Sequence, residues 1–330
     1  LWLTHDMGAV AGIPISFCLL LLITFLVSNL TQFFAPAEQS VIPLILEDRH
    51  LLSANSLYTT TMMASVIIGF AVGEPLLAIA DSLLTPLDGG TGIGKDILVG
   101  VSYGLAGLIL TTMRTGESTK TLTRDSHVWA DIKDGLRYIQ QRPPIRKAII
   151  QLVLLFSVFA ALAVLAVRLA EVIPALKPSQ FGVLLASGGV GMGLGAAGSG
   201  QLGHRVAKRH LSLLGVLGMG AALGGLSLTI HSLWGSLALI AVLGMFAATV
   251  GIPMQTTVQE HTPEEMRGKV FGLQNNVVNI ALSLPLALAG VAESLVGLRP
   301  VLLSLAGIVV LGGLLTQTVF TVPAETPSAQ

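Results

Sequence analysis

Charge is what this chain has least of. Only 11% of its 330 residues are Asp, Glu, Lys or Arg, against 52% hydrophobic ones, and the mean hydropathy is +0.79. Soluble domains carry about 25% charged residues. Charges this sparse would not cover the surface of a globule, so lipid must be the main solvent. The 18 cations and 18 acids cancel. With no basic field, nucleic acid is excluded as a partner. Cysteine is nearly absent too. The single Cys18 lies inside an apolar run, which excludes a disulfide framework and any cysteine-based metal site, and it reads as a small packed residue. No basic segment precedes the first apolar run, so no signal peptide is visible. The first residue is Leu1, and the simplest account is that the natural N-terminus lies upstream.

What the chain has in quantity is long apolar runs. A spanning helix needs about 20 such residues. Nine segments qualify, near 10–33, 54–80, 97–113, 147–170, 179–202, 211–230, 234–256, 270–291 and 299–320. Gly and Pro recur inside them, which bilayer helices tolerate. An open sheet could not satisfy its edges in lipid, so the fold class is all-α: a polytopic membrane helical bundle. The cations are sorted between these segments. Of 18, 14 fall in every second gap: Arg49; then Arg114, Lys120, Arg124, Lys133, Arg137, Arg142, Arg146 and Lys147; then Arg205, Lys208 and Arg209; then Arg267 and Lys269. Cytoplasmic loops retain Lys and Arg. The parity predicts a multi-pass protein of the inner (plasma) membrane with residues 1–8 outside and the C-terminus in the cytoplasm.

The longest polar stretch, 114–146, follows three spans and precedes six. In it Trp129, Ile132, Leu136 and Ile139 recur at helical spacing among Asp131, Lys133, Asp134 and Arg137. This predicts a short amphipathic helix at the cytoplasmic face, ended by Pro143 and Pro144.

Two familiar fingerprints occur here without their context. Gly89, Gly94 and Lys95 satisfy GxxxxGK, but Asp96 stands where a phosphate loop needs Ser or Thr. Gly193, Gly195 and Gly198 satisfy GxGxxG, yet no acidic residue occurs between Glu171 and Glu260 to hold a ribose. Close helix packing explains these glycines better, since Gly189 with Gly193 and Gly191 with Gly195 are GxxxG pairs. No metal site and no cofactor are predicted. The run from His261 to Glu265 lacks the second His of a zinc motif. It reads instead as a helix start, with Thr262 as cap, Pro263 in the first position and Glu265 closing a capping box.

From this point a family resemblance becomes specific. Gln259 to Leu273, QEHTPEEMRGKVFGL, resembles the loop between helices ten and eleven of major facilitator superfamily transporters, with Arg267 and Gly268 in its motif. Gln32 to Leu57 resembles their connection from helix four to helix five, carrying Pro36, Ile42, Pro43, Ala54 and Asn55 in the order seen in the branch of macrolide efflux pumps and the enterobactin exporter. Asp131 to Lys147 is similar to that branch's central-loop helix. Gly203, Arg205, Lys208 and Arg209 resemble the second-half copy of the superfamily's cytoplasmic loop motif. In this register the chain holds helices four to twelve, and about three N-terminal helices lie outside it. The resemblance implies four regions: 1–113, the rest of the N-terminal half; 114–146, the central loop; 147–322, a six-helix C-terminal half; and 323–330, a cytoplasmic tail.

The function implied is secondary transport: proton-coupled efflux of an amphipathic small molecule (a drug, macrolide or siderophore-like compound) by alternating access, from a protein monomeric when full length. Two alternatives stay open, a lipid or metabolite transporter of the same superfamily and a non-transporting truncated membrane protein. An enzyme is not expected, since no catalytic cluster recurs at working spacing. Ionisable residues within spans are functional candidates. Glu74, beside Gly73 and Pro75, is the candidate proton-coupling residue, or else a solvated group at the outer interface. Gly69, Gly73 and Pro75 resemble the Gly-Pro-rich motif of the family's helix five, interrupted by Glu74. Arg168 and Glu171, three apart, are expected to pair. Gln151, Asn275 and Asn279 are candidates to line a cavity, or to bond neighbouring helices.

Overall fold

A computed structural model of the chain describes residues 9–10, 13–88, 93–113, 128–202 and 206–319. Ten α-helices follow one another: α1 (Ile15–Ile45), α2 (Leu51–Asp88), α3 (Ile93–Thr111), α4 (Val128–Gln141), α5 (Pro143–Val172), α6 (Phe181–Leu202), α7 (Lys208–Leu228), α8 (Leu233–Glu260), α9 (Glu264–Val296) and α10 (Leu298–Val319). All but α4 contain a segment long and apolar enough to cross a membrane. The only strands among the described residues are the two-residue pieces Ala9–Val10 and Ile13–Pro14, paired antiparallel.

The chain divides into two compact units. The first comprises 1–45 and 68–120. It contains α1, the second part of α2, and α3. Helix α1 runs to Ile45, through Pro36 and Pro43, beyond the expected end near 33. A proline costs one backbone hydrogen bond, and a lipid-embedded helix keeps the rest because nothing else can satisfy them. Phe25, Leu30 and Phe33 of α1 are exposed, as a face solvated by lipid would be. Cys18, expected to be packed, is exposed on the same helix. The start of α3 lies on α2: a Cβ at Gly94 would fall 2.5 Å from the Asp81 Cα. Lys95 Nζ is 3.6 Å from Asp81 Oδ2. The GxxxxGK lookalike is therefore part of a helix contact. Its Gly89 lies outside the described residues.

The second unit comprises 46–67 and 121–330. Helix α5 is its centre, packed against α8, α9 and α10. Ile145, Leu152, Leu155, Leu162, Leu165 and Leu169 form one buried stripe along it, met by Met219 and Leu223 of α7, Leu243 of α8 and Leu302 of α10. Lipid tails are as apolar as these side chains, so dispersion and close fit, not expulsion of water, hold this core. Pro143 and Pro144 occupy the first turn of α5, where their missing N–H groups cost nothing. Helices α9 and α10 are joined by Gly297 alone, at φ 86°. Glycine takes that left-handed conformation without a side-chain clash.

One local expectation is corrected. Helix α9 starts at Glu264, with Pro263 as its cap residue and no side-chain capping bond. The Thr262 hydroxyl turns backwards and donates to the Val258 carbonyl at 2.6 Å. That carbonyl is one of the four left open by the end of α8, and a buried hydroxyl satisfies it.

Candidate functional site

The polar side chains inside the second unit join helices in pairs. Gln151 of α5 is 2% exposed, and its amide is used at both ends. The Ser212 hydroxyl of α7 donates to Oε1 at 2.8 Å, and Nε2 donates to Thr316 Oγ1 of α10 at 2.9 Å. One turn earlier, Lys147 Nζ donates to Gln317 Oε1 at 2.7 Å. Gln151 also borders a small cavity with Leu154, Leu155, Val216, Met219 and Val309. A buried amide with both ends satisfied avoids the cost of an unpaired polar group and pins three helices in register.

A second cluster lies where α2 begins and α8 ends. Asn55, 3% exposed, donates to Gln259 Oε1 at 2.6 Å and to Thr256 Oγ1 at 3.1 Å. Beside it, Gln274 of α9 donates to Gln255 Oε1 of α8 at 2.7 Å. Asn275 and Asn279 follow on α9, half-buried and each engaged in a further interaction. Lys208 at the start of α7 pairs with Glu260 at the end of α8. Arg209 is exposed, and Arg267 is half-buried with its Nε unpaired among the described residues.

At the opposite end of α5, Arg168 Nη1 is 2.6 Å from Glu171 Oε2, and its Nε is 2.9 Å from Glu293 Oε2 on α9. The i,i+3 pair was legible from spacing. Glu293 was not, because it lies just past the apolar run that ends near 291. An acid one turn beyond an apolar segment was the available signal.

The glycines of α6 face two neighbours. A Cβ at Gly191 or Gly195 would fall on the backbone of Ala241 or Met245 of α8, and one at Gly244 would fall on Gly188. Gly189 and Gly193 turn to α2, where a Cβ would sit 3.9 Å from the Met63 sulfur and 3.6 Å from its Cβ. Around Gly69, Gly73 and Gly268 nothing lies within 4 Å of such a Cβ. The side chain of Glu74, and residues Gly203 and Arg205, lie outside the described residues. Among the described residues no group of three or more His, Cys, Asp or Glu converges as a metal site would require.

Both the sequence and the fold match known proteins. The family model of the Major Facilitator Superfamily matches twice, over residues 7–284 and 148–330. The enterobactin exporter EntS of Citrobacter koseri is 32% identical over 142 residues, 42% of this chain and 34% of that protein. Its counterpart from Salmonella typhi is 30% identical over 143 residues, with the same shares covered. The matched stretch is thus about a third of the length of these relatives. The crystal structure of a bacterial homologue of the iron transporter ferroportin, in its outward-facing state, superposes with a TM-score of 0.57 at 18% identity, covering 88% of this chain and 68% of that one. The fold is shared with that structure, the family model spans almost the whole sequence, and the chain belongs to the Major Facilitator Superfamily, a superfamily of membrane transporters.

Proposed function

We propose that the protein is a secondary transporter that exports an amphipathic small molecule in exchange for protons, by alternating access. The observation that carries this reading is the similarity to enterobactin exporters, 32% identity over 142 residues, in a chain whose spans are joined by polar bridges. The cargo class is that of a drug, macrolide or siderophore. The C-terminus is cytoplasmic in the inner membrane, as the sorting of 14 of 18 cations implies. Residues 1–113, the central loop 114–146, the half 147–322 and the tail 323–330 are its working regions, and the protein acts as a monomer.

In this reading Glu74 is the proton-coupling group. An ionisable residue within an apolar span is costly to keep and marks a functional position. Gln151, Asn275 and Asn279 face the cargo path in one of its states. Neutral amides can bind a polar group of the cargo without the desolvation cost of a charge.

The test is accumulation of a fluorescent amphipathic cargo in a pump-deficient host expressing the natural gene. Expression is expected to lower accumulation, and collapse of the proton gradient to restore it. Glu74→Gln should lower the export rate about 100-fold or more, the scale expected for loss of a positioned proton-transfer group. Export by the variant that is unchanged at every pH would remove Glu74 from the mechanism.

A further inference from the structure

Helix α4 packs by its polar side and leaves its apolar side free. Successive residues advance by about 100°, so Asp131, Asp134, Gly135 and Tyr138 share one side of it. That side lies on α9. Lys269 Nζ is 2.8 Å from Asp131 Oδ1 and 3.3 Å from Asp134 Oδ2. A Cβ at Gly135 would meet the Leu273 and Lys269 side chains. The Tyr138 hydroxyl donates to the His261 carbonyl at 2.9 Å. Roughly a third of a turn further round come the apolar residues. Trp129 is 82% exposed, Leu136 49% and Ile132 40%. Only Ile139, last in the stripe, packs against the core. Beyond them, on the free edge, stand Lys133 and Arg137, both exposed.

The charges of α4 are thus sorted by side. Lys269 neutralises both acids on the packed face, and the two cations remain beside the exposed apolar stripe. The end of α4 is also held close to the membrane. Only Arg142 separates Gln141 from α5. Helix α5 has 30 residues, about 45 Å at 1.5 Å per residue, against a hydrocarbon layer of about 30 Å. Its first turns, which carry Arg146 and Lys147, extend into the headgroup region, and α4 ends there.

We infer that α4 docks on the surface of the bilayer its neighbours span. Trp129, Ile132 and Leu136 enter the boundary between headgroups and acyl chains, and Lys133 and Arg137 contact anionic phospholipid headgroups. Lys269 is the positioning residue: without it, two carboxylates near the lipid would oppose the same headgroups.

The test uses the full chain with Trp2→Phe and Trp234→Phe, which leaves Trp129 as the only tryptophan. It is reconstituted into vesicles of phosphatidylcholine alone or of equal parts phosphatidylcholine and phosphatidylglycerol, with lipids brominated high on the acyl chain as quenchers. In the anionic vesicles Trp129 emission is expected to shift to the blue and be quenched. Lys133→Gln with Arg137→Gln should lower the docked-to-free ratio roughly thirtyfold, about fivefold per cation at an anionic surface, and Arg137→Lys should retain docking. Three results would overturn the inference: unquenched emission in both vesicles; equal quenching in both that ignores the double substitution; or quenching that follows the protein-to-lipid ratio, which would mean that a second copy covers the stripe.

Discussion

Gln151 illustrates what one residue can and cannot reveal in advance. A polar amide in an apolar run marks a helix joint or a cargo contact, and the run itself does not say which. In the fold it is bonded to Ser212 and Thr316 at once. Interhelical hydrogen bonds in membrane proteins average about 0.6 kcal/mol each, so Gln151→Leu should cost roughly 1–2 kcal/mol. Ser212→Ala, which removes one bond, should cost about half as much. Thermal unfolding of the purified variants in detergent measures both, and equal midpoints for wild type and Gln151→Leu would refute the joint. The Arg168 pairs are a weaker case. Arg168 is half exposed, so its bonds to Glu171 and Glu293 position helix ends more than they stabilise them.

Helices were the most legible level. Every predicted span has its helix, and the amphipathic stripe through Trp129 and Ile139 lies on α4. Errors fell at the ends, where α1 passes through two prolines and Thr262 serves the preceding helix instead of the next. Helix ends depend on which neighbour offers a partner, and spacing along the chain cannot show that. The contact of α6 with α8 makes a sharp prediction. Gly195→Ala drives a methyl group into the Met245 backbone, whereas Gly198 has nothing within 4 Å of a Cβ. Overpacking costs about 1–3 kcal/mol, so Gly195→Ala should lower the unfolding midpoint. Gly198→Ala should be neutral or slightly stabilising, since alanine is the better helix former. Identical behaviour of the two variants would rule out the close approach.

At the scale of the whole molecule, the sorting of cations predicts an orientation. On a Cys18→Ser background, His231→Cys and Glu264→Cys introduce thiols at exposed positions on opposite ends of the spans. A membrane-impermeant maleimide applied to intact cells should label the first, and the second only after lysis. The reverse pattern would invert the topology. Composition and the order of apolar runs along the chain determined the membrane setting, the helical class and the number of apolar spans, because lipid offers the backbone no hydrogen bonds and each span must satisfy itself within about 20 consecutive residues. Those rules are local. What only the tertiary structure decided is which polar groups meet: Gln151 with Thr316, 165 positions away; Arg168 with Glu293, 125 away; Asn55 with Gln259, 204 away; and Lys269 with the acids of α4. These pairings follow from how glycine-lined helices approach and stack, a property of surfaces in contact that no single segment carries.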